Sequence, residues 1–359
     1  MTAKKAAKGA KPTKMQQAKQ ALMQKRQAPP VDAKNMTELR SATIQQAQKY
    51  KYPFQQVKHK VLLFAGIAVA IALVSFVALS YYALYVGQST SDFYYTAMKA
   101  VPIPVASVDG QKVAYSDYLR RVRASTQYIE RQEERDFSTE DGQRELNYIK
   151  RASMDEAQRS AFAMKITKEK KIIIEHDAIN EELQRNLRSA SGATLSERAF
   201  EASIRNYYGW DLNDYRRAIY ERLVLKEAMF QVDDRAEAKV QEIMQNLSAD
   251  ASVGNFVALA KLQSEDEDTK ASGGEVGWIS VNDVDNDGLI AAAKTLGKDQ
   301  ISGIIRGLDA YYIIQLIEKN DASVSFRKIK IALTEFNTRL DALREQGKIR
   351  EFITIKRDE

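Results

Sequence analysis

The sequence predicts a mainly α-helical chain with one α+β domain and a single transmembrane helix. Three features predict it. Residues 61–86 form an uncharged apolar run. Residues 101–232 carry apolar side chains at helical spacing. After residue 233, short helices alternate with strand-like runs. The length, 359 residues, suits two or three domains.

From Val61 to Ser91 there is no charged side chain, and from Val61 to Leu79 only Gly66 and Ser75 interrupt the apolar residues. As a helix, residues 61–86 extend roughly 39 Å, enough to cross a hydrocarbon core of about 30 Å with tilt. Lys58 and Lys60 abut one end, and Tyr81, Tyr82 and Tyr85 lie where an interfacial aromatic belt is expected at the other. Ala78-Leu79-Ser80 faintly resembles a signal-peptide cleavage site, but the apolar run and the region before it are too long for one. An uncleaved anchor is expected.

Charge is divided about this segment. Residues 1–60 hold fourteen Lys or Arg and only Asp32 and Glu38 as acids, a net +12; the remaining residues sum to −6. By the positive-inside rule the basic end stays in the cytoplasm and everything after the helix is extracytoplasmic. Residues 1–35, rich in Ala, Lys, Gln and Pro, read as disordered, and residues 1–60 as a largely disordered cytoplasmic tail. Beside an anchor, the expected partner of that tail is anionic lipid; nucleic acid is the alternative. There is no cysteine, which excludes disulfides, thiolate metal sites and Cys nucleophiles, and only His59 and His176 could supply imidazole.

Residues 87–100 read as a linker leading to Pro102-x-Pro104. Asp109-Gly110 between two short apolar runs predicts a β-hairpin. Ser116 is the expected cap of the next helix, followed by an almost wholly helical stretch over 143–188 with Leu146, Ile149, Met154, Ala157, Ala161 and Met164 on one face. Thr194-x-x-Glu197 reads as a capping box, Asp211 as a cap, and Leu212, Tyr215, Ile219 and Leu223 as one buried stripe. Residues 101–232 are thus expected to be a helical domain entered by a hairpin. Residues 233–359 are expected to be an α+β domain around a small antiparallel sheet, finished by a helix over 335–346 and the strand IREFITI.

NFVALAKLQSEDEDTKASGGEVGW followed by ISGIIRGLDAYYIIQL resembles the parvulin (PpiC-type) peptidyl-prolyl isomerases across 236 to about 332. The matching glycine motif is Gly273, Gly274, Glu275, Gly277 and Trp278. VASVDGQKVAYSDYLRRV and DLNDYRRAIYERLVLKEAM resemble the helical chaperone domain of SurA, PpiD and PrsA-like proteins. The family's first strand is absent before AEAKVQEIM, whereas VSFRKIKIAL after the final hairpin has its character, so the resemblance implies a circularly permuted parvulin-like sheet with surrounding helices. It also implies degenerate catalytic positions: Asp266 at the family's Asp or Cys, and Tyr312 and Lys328 where the two histidines stand. Leu289, Asp309 and Trp278 fall at substrate-binding positions, Trp278 being expected in the sheet core. An Asp266–Lys328 ion pair is expected.

Asp283-x-Asp285-x-Asp287-Gly288 looks like the start of a calcium loop, but position twelve is Lys294 where a bidentate Glu is required, so an acidic loop capping a helix is expected. His176 has no second histidine in its domain, and Ser-His-Asp order and phosphate loops are absent from the sequence. Neither metal nor cofactor is expected. The leading functional expectation is a membrane-anchored extracytoplasmic chaperone for unfolded or exported polypeptides. The alternatives are an active prolyl isomerase with an altered site, and an envelope scaffold whose tail binds nucleic acid or ribosomes.

Overall fold

The computed structural model describes residues 15, 33–51, 58–187 and 194–356. The chain divides into two compact units, Met1–Leu79 and Ser80–Glu359. Most of the expected disordered tail lies outside the described residues. Within it, Ala33–Lys51 is helical (α1); Gly and Pro are absent from that stretch, and Ala, Gln, Leu and Lys favour the helix. Lys58–Tyr81 forms α2, continued by a π turn over Tyr82–Val86. Val61–Val86 has a mean hydropathy of 2.8 and is long and apolar enough to cross a membrane.

In the second unit Leu84 is buried, and its carbonyl accepts the Tyr115 hydroxyl at 2.5 Å. The segment expected as a linker is instead largely helical: Asp92–Ala100 (α3) buries Tyr95 and Met98, one turn apart, and the Tyr95 hydroxyl donates to Asp214 at 2.7 Å. The hairpin forms as expected, Pro104–Val108 (β1) pairing with Gln111–Ala114 (β2). Asp109 and Gly110 take φ of 45° and 85°, the left-handed pair that a type I′ turn requires.

Helix α4, Tyr115–Gln132, starts one residue before the expected Ser116 cap and has no side-chain cap. The expected helix over 143–188 is two helices, α5 (Glu140–Glu169) and α6 (His176–Asn186). The break falls where Lys171 is left-handed (φ 56°) and Ile172–Ile174 follow, three β-branched residues that disfavour helix. His176 therefore opens a helix and is exposed. Helix α7, Glu197–Tyr208, is capped by Ser196, which accepts from the Ala199 amide, so the Thr194–Glu197 box is not used. Helix α8, Leu212–Val232, has the expected Asp211 cap, reciprocated by Asp214, and its stripe packs Ile219 against Ile179 and Leu183 of α6.

Helices α9 (Asp234–Ala249) and α10 (Val253–Gln263) lead to a four-stranded antiparallel sheet of β3 (Glu275–Ser280), β4 (Ile305–Arg306), β5 (Ala310–Lys319) and β6 (Ser323–Ala332). Its order is β3-β6-β5-β4, so β6 is a central strand. Helix α11 (Leu289–Thr295) packs Ile290 and Ala293 on Ile314, Leu316 and Phe326. Ile313, Ile329 and Ile331 join the main core with Val240 and Ile243 of α9 and Phe256 of α10. After α12 (Glu335–Glu345), the terminal strand β7 (Ile349–Glu351) does not join this sheet. It pairs antiparallel with β1, Ala106 opposite Glu351 and Val108 opposite Ile349. Ile353 and Ile355 follow into the core.

Candidate functional site

Strand alternation decides which side chains can meet. On β6, Val324, Phe326, Lys328 and Lys330 share one face, and Ser325, Arg327, Ile329 and Ile331 the other. Lys328 lies opposite Ile314, and Lys330 opposite Tyr312, so the expected side-by-side pair Lys328–Tyr312 is displaced by one same-face position. The loop 264–274 runs against this strand. The Lys328 amide donates to the Gly274 carbonyl at 2.8 Å, and a Cβ on Gly274 would lie 2.3 Å from the Lys328 carbonyl oxygen, so only glycine permits this approach.

That approach brings Asp266 to Lys328, Oδ2 to Nζ at 3.2 Å, and the Thr269 hydroxyl donates to the same carboxylate. Burial alone would raise the Asp266 carboxyl. The hydrogen bonds from Thr269 and Lys328, and the charges of Lys328 and Lys330, outweigh it and hold the group below the usual carboxylate range. A carboxylate with a lowered folded pKa stabilises the fold fully above its unfolded value and loses that contribution as pH falls through the folded value. Asp266→Asn is therefore expected to destabilise the chain at pH 7 by about 1–3 kcal/mol, with the difference shrinking below about pH 4; paired denaturant titrations at the two pH values check this.

The phenol of Tyr312 is buried and is pushed up by that burial, by the charges of Asp287 and Asp309, and by its hydrogen bond to Asp287. Asp287 also accepts the Leu308 amide at 2.8 Å, tying the acidic loop to the β4–β5 turn, while Asp285 accepts the Ala291 amide and so holds the first turn of α11. Lys330 lies 5.9 Å from the Tyr312 ring centroid and 3.8 Å from Asp309, a residue whose side chain is 61% exposed. Leu289 packs beside Ile314 and Phe326. Asp266, Lys328, Tyr312 and Asp309 are thus gathered along one face of β5 and β6, with Leu289 at its apolar end.

Trp278 is not part of this group. It stands opposite Ser325, on the other face, and is 54% exposed rather than in the sheet core. β3 is an edge strand whose register breaks between Glu275 and Trp278, where Gly277 takes φ 80°; such a bulge swings a side chain off the covered surface. Among the described residues no group of three or more His, Asp or Glu is arranged to hold a metal ion. Sequence reasoning missed Thr269 and Lys330, and it read Asp287 only as part of a capping loop. The alternation of Lys330 with Lys328 was the available signal.

A second feature lies in the helical half. Between α4 and α5 is a cleft of about 610 Å³ lined by Ala124, Tyr128, Ile129, Tyr148, Ile149 and Ala152, with Tyr208 and Trp210 closing one side. The lining residues recur at i, i+4 and i+7 or i+8 on both helices, so two facing stripes build it. Tyr128 stacks on Tyr208 (centroids 5.8 Å apart, 13° between planes), and Tyr208 meets Trp210 at 5.5 Å. Tyr148 is 73% exposed. Below Trp210 the Arg120 guanidinium lies 5.3 Å from the indole and bonds Glu221 at 2.5 Å.

A small antiparallel sheet with a charged face thus follows a hairpin-led helical bundle, the two parts that the resemblances to parvulin-type and SurA-type domains imply. Family models agree: a PPIC-type PPIase domain matches residues 223–318, and a SurA-like N-terminal domain matches 54–229. The domain content is that of the SurA/PrsA-like foldases. Over 169 residues the chain is 30% identical to foldase protein PrsA 1 of Listeria innocua serovar 6a, covering 45% of this chain and 52% of that protein. Over 106 residues it is 29% identical to chaperone SurA of Pectobacterium atrosepticum, covering 28% of this chain and 24% of that one. The chain thus spans about half the length of the first relative and a quarter of the second.

Proposed function

We propose that this chain is a membrane-anchored extracytoplasmic chaperone that holds unfolded exported polypeptides in the cleft between α4 and α5. The parvulin-like domain serves as a second peptide-binding surface with little isomerase activity. The observation that carries this reading is that the two surfaces differ in what they leave free. The cleft presents unspent apolar and aromatic area. In the parvulin-like site Asp266 is taken up by Lys328 and Thr269, and Tyr312 by Asp287. Turning a prolyl bond over a barrier of about 18–20 kcal/mol needs polar groups free to weaken amide resonance. The resemblance implies a histidine pair for this task, for which Tyr312 and Lys328 stand in.

The permuted reading of the sheet is part of the proposal. The central position of β6, and a family match that ends at residue 318, short of β6, both support it. The reading as an active isomerase is favoured by the PPIC-type match itself. One assay separates the two: a client with a slow prolyl phase, refolded with the full chain in neutral-lipid nanodiscs. Near-stoichiometric suppression of aggregation with little acceleration of the prolyl phase is expected. Strong acceleration that disappears in a folded Asp266→Ala variant would establish the enzyme instead.

The apolar span and the +12 tail support an anchor with the N-terminus in the cytoplasm. Protease added to spheroplasts is expected to digest residues 100–359 and spare the tail. A protected C-terminal part would reverse the topology.

A further inference from the structure

We infer that the α4–α5 cleft selects apolar segments that carry Lys or Arg beside them, an inference that rests on the cleft being the polypeptide-binding site. Among the described residues three carboxylates line it, Glu133, Glu145 and Glu156, against one cation, Arg121. Arg121 is turned inward and spent: it reaches Glu221 at 2.6 Å and Ser160 at 2.7 Å. Glu145 is compensated by Arg135 at 2.9 Å. The other two acids are not matched in this way. Glu133 has no ion-pair partner among the described residues. Glu156 meets Arg159 only at 3.8 Å, and Arg159 also donates to Asn337 at 2.5 Å. Both Glu133 and Glu156 are exposed.

The aromatic wall adds to the same preference. Tyr128 and Tyr208 line the cleft as a stacked pair, and a cation held near aromatic rings is attracted by their quadrupoles in addition to the carboxylates. A segment bearing a Phe or Leu next to a Lys can bury the apolar side chain against Ile149 and Ala152 while its ammonium stays near a rim carboxylate. An acidic neighbour would meet the same carboxylates as like charges. The sorting is then electrostatic at the rim and apolar at the floor, and the rim part is screened by salt.

The test uses the full chain in phosphatidylcholine nanodiscs and labelled synthetic peptides that share one Phe- and Leu-containing core but are flanked by Lys, Ser or Glu. Fluorescence anisotropy is expected to show the Lys-flanked peptide binding about tenfold tighter than the Glu-flanked one, a difference of about 1.4 kcal/mol. The ratio is expected to fall towards one in Glu133→Gln/Glu156→Gln, and in wild type at high salt. Glu133→Lys/Glu156→Lys is expected to invert the order, and its melting curve shows whether it is folded. Equal binding of all peptides to wild type, or a preference that survives in Glu133→Gln/Glu156→Gln, would overturn the inference while leaving the cleft as the binding site. No binding of any peptide would overturn the cleft reading itself.

Discussion

A chain ending at Ser323 is expected to lose cooperative unfolding of its sheet. The cut removes β6, which pairs with β3 on one side and β5 on the other, and leaves two unsatisfied edges where the native sheet has a centre. It also removes Phe326, Ile329 and Ile331 from the core, each worth about 1.5–3 kcal/mol of burial in a fold whose total stability is about 5–15 kcal/mol. A milder cut after Gln346 keeps β6 but removes β7, Ile353 and Ile355. It is expected to destabilise the helical half, about 3–6 kcal/mol from the two isoleucines, because β7 is the third strand of the hairpin's sheet. Circular dichroism melts of both truncations check this; a native-like melt from the first would remove β6 from its central role.

Glu221→Ala is expected to be the most damaging single substitution, about 3–5 kcal/mol. Glu221 is 5% exposed and accepts from Arg120 at 2.5 Å, Arg121 at 2.6 Å and Arg217 at 2.9 Å. Burial opposes its charge, but the three guanidiniums, Arg120 first, outweigh that and hold its carboxyl below the usual range. Removing it leaves Arg120, 4% exposed, with its charge buried and unpaired beneath Trp210. Replacing Arg120 by Met in the same variant is expected to recover part of the loss, since the most buried guanidinium is then no longer left unpaired. Urea titrations of the two variants measure both effects. A loss under about 1 kcal/mol from Glu221→Ala would place the cluster among the weak, solvated ion pairs.

Local patterns in the sequence foretold the elements that local chemistry decides. The Asp109-Gly110 turn, the Asp211 cap and the stripe Leu212–Tyr215–Ile219–Leu223 all formed, because turn geometry, capping and periodicity act within a few residues. Strand character in VSFRKIKIAL was visible for the same reason. What the sequence hid depends on distant partners. The 87–100 segment reads as a linker until Asp214 and the main core give Tyr95 and Met98 somewhere to go. The terminal strand could have joined either sheet by its own propensity, and pairing with β1 is a tertiary choice. Trp278 looks like core from composition, yet an edge bulge exposes it. In the candidate site, Asp266 and Lys328 met as expected, whereas the engagement of Tyr312 by Asp287 required a loop to fold back.

The most direct test of the holding role is to fill the cleft without touching the core. Ala152 is exposed on α5 and lines the cleft, so Ala152→Trp adds bulk within it at a position where surface substitutions change stability by no more than about 0.5 kcal/mol. Light scattering of an aggregating unfolded client, with wild type and Ala152→Trp at equal concentration, gives the answer. Suppression by wild type that is largely lost in the variant, with melting temperatures unchanged, is the predicted result. Equal suppression by both proteins would contradict the assignment of client binding to this cleft.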